Sequence, residues 1–371
     1  MRKTGLIVTA FRDPRAVPGW ELQKWDLLLR QLRQAGMTAS LHDRLGTLGL
    51  LQAVPEQPAR HLEWASRLAG RHKQSVLHEV TLIRNALSKV GIPVVLLKGA
   101  AYVLAGLPAA DGRIFSDIDI LVPAESLNLV ESELMLHGWR STLHDVYDQR
   151  YYRSWMHELP PMTHAKRGTV IDVHHAILPV TARLHPDSAK LLKAAIPTAG
   201  APMAGTPALL TLAPIDMVLH SALHLFYNSE FDHGFRDLVD IHNLLQHFSE
   251  LPGFWTGIVA RAQDLELTRP LFYALRYTTL FLNTAVPREV MINADVGKPN
   301  QALLVLMDGL FERALQPDHP DCGDRFTGVA RFALYLRGNW LRMPPLLLMR
   351  HLFQKGFISN RKPAEKAQCD I

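Results

Sequence analysis

The chain has 371 residues, 48% of them hydrophobic and 20% charged, with a formal net charge of +5. That length leaves room for two or three domains, the apolar-to-charged balance is that of an ordinary globular protein rather than a disordered chain, and no apolar run is long enough to span a membrane. The two cysteines, Cys322 and Cys369, lie far apart without a C-x-x-C, which argues against a disulfide framework or a zinc ribbon and points to a reducing, cytoplasmic compartment.

The opening MRKTGLIVTAFRDP carries an apolar patch too short for a signal peptide, with Arg12 and Asp13 directly behind it. From about 20 to 90 the pattern is helical: RHLEWASRLAGRHKQSVLHEVTLIRNALSKV, residues 60–90, places apolar residues three and four apart with charges between. Gly91-Ile92-Pro93 ends it, because proline cannot continue a helix and pushes its predecessor to extended geometry. Val94–Leu97 then reads as a buried strand, Gly99–Ala105 as a helix, 106–116 as a loop and Asp117–Val122 as a second strand. Ala124–His137 reads as a helix capped by Gly138, residues 139–168 as irregular, and Thr169–His175 (TVIDVHH) as a third strand. The Pro-, Ala- and Gly-rich stretch 179–214 reads as a junction with a short helix over Asp187–Ala195. Beyond Pro214 the pattern is helical over Ile215–Tyr227, Phe235–His247, Trp255–Leu265, Pro270–Phe281, Gln301–Leu310 and Arg331–Trp340, and the tail past about Asn360 reads as disordered. This order predicts an α+β fold: an N-terminal helical region (1–90), a core with a small mixed β-sheet (91–180) and a C-terminal helical domain (181–371).

Two strands carry charge where strand composition disfavours it. Asp117 and Asp119 share one face of the second strand, since alternate residues of a strand point the same way. Asp172 and His174 share a face of the third. Like charges this close need a counter-charge, and hard divalent cations such as Mg²⁺ take oxygen ligands. A D-x-D with a third aspartate could hold one or two such ions. The competing reading is a turn or cap aspartate in a motif common by chance.

The ordered set LLKG, R-x-x-S-D-I-D-I-L-V and I-D-V-H-H resembles the nucleotidyltransferases of the DNA-polymerase-β-type superfamily, and within it a poorly characterised bacterial group whose first motif is L-K-G. PIDMVLHSALHLF and FRDLVDIHNLL extend the likeness into the C-terminal half. The resemblance implies a nucleotidyltransferase core flanked by helical regions. It further implies transfer of a nucleoside monophosphate from an NTP to an acceptor (protein, RNA or small molecule), with release of pyrophosphate. Asp117, Asp119 and Asp172 would be both the catalytic and the metal-binding residues, for Mg²⁺ or Mn²⁺. Lys98, Gly99, Arg113, Ser116 and His174 are the nucleotide-binding candidates, with Gly99 opening a phosphate cradle. Ala100 stands where the wider superfamily has serine. That departure keeps a second reading open, a catalytically inactive nucleotide-binding or scaffold protein that retains the fold.

The remaining candidates favour structural readings. His220 and His224 are spaced to share a metal, but their helix is largely apolar and no H-E-x-x-H is present. Asp240 could pair with a histidine or a core arginine, or stand exposed. The segment 331–355 is basic and apolar by turns and could touch a membrane surface, yet Pro344-Pro345 interrupts it and packing on the domain is favoured. No Walker A, G-x-S-x-G or G-x-G-x-x-G occurs.

Overall fold

The computed structural model describes residues 5–143, 146–198 and 209–344, with backbone alone for 146–148. The fold is α+β. A mixed seven-stranded sheet runs in the order β3-β4-β5-β2-β1-β7-β6, with helices before and after it in the chain. Its strands are β1 (Val94–Leu96), β2 (Asp117–Leu121), β3 (Trp139–Ser141), β4 (Met162–His164), β5 (Val170–His174), β6 (Ile196–Pro197) and β7 (Leu209–Thr211). β1 lies inside the sheet, antiparallel to β2 and parallel to β7, and every one of its residues is buried. That is why it reads as an unbroken apolar run rather than an alternating one.

Two stretches are more ordered than their composition suggests. Residues 139–168, expected to be irregular, contain β3, a helix over Val146–Trp155, and β4. The expected junction contains β6 and β7, and β7 is a direct neighbour of β1. Strands of two or three residues are too short to show a period of two, so only their partners reveal them. The sheet therefore draws on residues beyond 180.

The helix Glu56–Ala86 spans 31 residues and anchors the sheet through a buried glutamate. Glu79, 5% exposed, accepts from Arg167 Nε at 2.5 Å and from Thr169 Oγ1 at 3.1 Å. Behind the sheet, Pro214 opens the helix Pro214–Tyr227 in its first turn, where the missing N–H costs nothing. Asp216 on that helix is paired at both oxygens by Arg261, at 2.7 and 2.8 Å. One continuous apolar core runs from Ile7 through Val94–Leu97 to Leu334. No helix among the described residues is long and apolar enough to cross a membrane. The expected disordered tail and most of the basic segment's second half lie outside the described residues.

Candidate active site

The parallel register of β2 on β5 sets Asp119 directly beside Asp172, with Asp117 two residues back on the same face. The three side chains offer carboxylate oxygens all within 4.8 Å of one another. Asp119 is buried, at 3% exposure. Its Oδ1 accepts from Lys98 Nζ and from His174 Nε2, each at 2.9 Å. Burial works against its charge, but Lys98 and His174 overcome that and hold the carboxyl well below the usual carboxylate range. Asp172 has the opposite fate. Burial first, then the neighbouring carboxylates Asp119 and Glu158, push it up to about 7. Its Oδ1 is buried with no hydrogen-bond partner among the described residues. An all-oxygen donor set with one oxygen left unsatisfied fits a hard divalent cation.

Lys98 does not continue the strand. The helix after β1 begins at Lys98 rather than Gly99, and Lys98 sits at φ +45°, a region that residues other than glycine rarely adopt. The turn brings its ammonium onto Asp119, where the carboxylate raises its pKa against the opposing effect of burial. Gly99 is buried beneath Phe115. A Cβ on Gly99 would lie 2.1 Å from the Phe115 ring, so the glycine is required by this packing. Ala100 is buried in the core at 2% exposure.

Arg113 is held by Asp240 and lies 3.9 Å from Asp237, with its guanidinium over the rings of Tyr102 and Phe115. Asp240 thus pairs with a core arginine, one of the alternatives open from sequence. Ser116 is exposed and donates to Asp117 Oδ1 at 2.8 Å. His174 is buried between Asp119 and Glu158. His220 is buried. His224 faces Lys98, whose charge, together with burial, pushes the imidazole down to about 3.

Two openings meet at Lys98. One cavity, about 140 Å³, is bordered by Gly99, Arg113, Asp117, Asp119 and Asp237. The other, about 200 Å³, is bordered by His157, Glu158, Asp172, His174 and Arg342. Both include Lys98 and His224. Sequence reasoning missed His157 and Glu158, which sit in the stretch read as irregular. The only signal available was the polar density of that stretch beside a strand bearing Asp172.

A family model described as "Uncharacterised nucleotidyltransferase" matches residues 21–283. A search of curated proteins gives no match to the chain.

Proposed function

Since the chain belongs to the family of uncharacterised nucleotidyltransferases, we propose that it is an enzyme of the DNA-polymerase-β type that moves a nucleoside monophosphate from an NTP to an acceptor. The observation that carries this reading is the Asp117–Asp119–Asp172 cluster, three carboxylate oxygens within 4.8 Å on adjacent parallel strands. In the transfer, an acceptor oxygen bonds to the α-phosphorus and the bond to the β-phosphate bridge breaks, releasing pyrophosphate. A Mg²⁺ or Mn²⁺ ion held by Asp117, Asp119 and Asp172 would supply neutralising charge at the phosphate oxygens.

The chain's own groups divide the remaining work. Asp172, whose Oδ1 has no hydrogen-bond partner among the described residues, is the carboxylate left to take the acceptor's proton. Lys98, kept charged by Asp119, and Arg113 put positive charge beside the phosphates on the side of Gly99 and Ser116. His174 fixes Asp119 so that only one of its oxygens is spoken for. The two openings at Lys98 suit a reaction with two substrates, one approaching from each side.

The test is Mg²⁺-dependent binding of labelled NTPs to the full chain and to Asp117→Ala and Asp119→Ala, followed by transfer of α-label to protein, RNA and small-molecule acceptors. At least a ten-fold loss of binding in both variants, with transfer by the parent alone, supports the reading. Equal binding in parent and variants would overturn the metal site. The Lys98–Asp119 ion pair, which already neutralises one carboxylate, favours a second reading, a nucleotide-binding protein without turnover. Tight binding with no transfer to any acceptor would point there.

A further inference from the structure

A second group of donor atoms lies behind the carboxylates. His157, Glu158 and His174 each bring one ligand atom within 4.8 Å of the others. Backbone pairing assembles them. Glu158 forms an antiparallel bridge with His174, Leu159 N–H donates to Val173 O at 2.9 Å, and His175 N–H donates to His157 O at 2.9 Å. The segment 157–159 is thereby clamped along the end of β5. Glu158 Oε2 lies 3.3 Å from His174 Nδ1 and 3.9 Å from His157 Nε2, and the two imidazole rings are 5.2 Å apart.

Two details bear on what this cluster could hold. His174 Nε2 is committed to Asp119 Oδ1 at 2.9 Å. A carboxylate that holds one ring nitrogen as N–H leaves the lone pair of the other free, which is the usual arrangement behind a metal-binding imidazole. Here the other nitrogen is Nδ1, 3.3 Å from Glu158 Oε2, where a cation would take the place of a proton shared by the pair. Independently, His157 Nδ1 is buried with no hydrogen-bond partner among the described residues. Buried polar atoms are normally satisfied; the ring's other nitrogen, Nε2, is the one 3.9 Å from Glu158 Oε2.

We infer that His157, Glu158 and His174 form a second cation site, distinct from the carboxylate cluster and selective for a borderline transition metal such as Zn²⁺ or Co²⁺. Two imidazole nitrogens and one carboxylate oxygen match the ligand preference of those ions, whereas Mg²⁺ prefers oxygen throughout. Three protein ligands leave a position open, as in catalytic rather than closed structural sites. That position faces the cavity of about 200 Å³ shared with Lys98, Asp172 and Arg342. An ion there would sit one hydrogen bond from the carboxylate cluster, through His174 and Asp119. The donor atoms differ from those of the proposed transfer reaction, so the site stands whether or not that reaction does.

The test uses the full chain, stripped with chelator and held in excess Mg²⁺, titrated with Co²⁺ while its visible absorption is followed. The expected result is one Co²⁺ per chain, with the intense bands of a four- or five-coordinate, nitrogen-ligated ion, displaced by one Zn²⁺. His157→Ala and Glu158→Gln should each weaken Co²⁺ binding at least ten-fold. Asp117→Asn, which touches only the carboxylate cluster, should leave it within about three-fold. The parent spectrum decides without any variant: weak bands of an octahedral, oxygen-ligated ion would overturn the site. So would parent-like binding by a folded His157→Ala, or loss of the nitrogen-ligated spectrum in Asp117→Asn. Failure of the transfer reading is seen separately, as NTP binding indifferent to Asp117→Ala.

Discussion

Asp119 and Asp172 face each other across one ladder with opposite protonation tendencies, and the difference comes from their neighbours alone. Asp119 is hydrogen-bonded by both Lys98 and His174, whereas at Asp172 burial and the carboxylates Asp119 and Glu158 outweigh the opposing charge of His174. Both residues stood out in sequence because an acid inside an apolar strand violates strand composition. Lys98 and His174 also stood out in sequence, as nucleotide-binding candidates, but nothing local signalled that both would close on Asp119. The same logic applies to His242, which carries a testable pH dependence. It is 1% exposed, its Nδ1 is 2.7 Å from Thr284 Oγ1, and its Nε2 is buried without a hydrogen-bond partner among the described residues. Burial and Arg44 push its pKa from 6.5 down to about 3. The unfolded chain therefore takes up a proton that the folded chain refuses between those pH values, so stability falls as pH drops below 6.5. At roughly 1.4 kcal/mol per pH unit, the parent should lose about 2 kcal/mol more than His242→Asn between pH 7 and pH 5. Urea unfolding at both pH values measures this, and parallel losses in the two proteins would refute it.

At the scale of elements, the junction of β1 with its following helix decides how the site is built. Lys98 at φ +45° turns the chain, and the loop before β2 returns to lay Phe115 over Gly99. The Phe115 N–H donates to His72 Nε2 at 3.0 Å, so the long N-terminal helix holds the ring in place. Gly99→Ala should destabilise the protein by about 1–3 kcal/mol through overpacking. In a Phe115→Ala background, where the ring is gone, the same substitution should cost close to nothing. Chemical denaturation of the four proteins gives the coupling directly, and additive losses would show that Phe115 is not the cause. The helix itself was legible from its apolar residues, but the turn at its start was not. A left-handed lysine has no sequence signature, and its side chain reaches Asp119 only in the folded structure.

Across the whole molecule, the helical regions and the sheet share one apolar core, and buried polar anchors set their relative placement. Glu79 is the clearest of these, receiving Arg167 and Thr169 from the strands' side. Glu79→Ala should cost about 1–2 kcal/mol, because it removes the acceptor for Arg167 and Thr169, while the exposed Arg167 keeps its contact with His164 Nε2. Glu79→Gln, which keeps an acceptor, should cost less. Thermal unfolding of the two variants ranks them, and equal melting temperatures would contradict the anchor. By itself, the sequence determined the helical regions, the three central strands and the three aspartates. Each of these rests on a local regularity, either a period of 3.6, an unbroken apolar run or an acid out of place. Only the tertiary structure decided that β7 returns to β1, that Lys98 closes on Asp119, and that His157 and Glu158 meet His174. Those contacts join residues far apart in the chain, or depend on strands too short to carry a pattern, and their energy comes from burial and pairing that exist only once the sheet has formed.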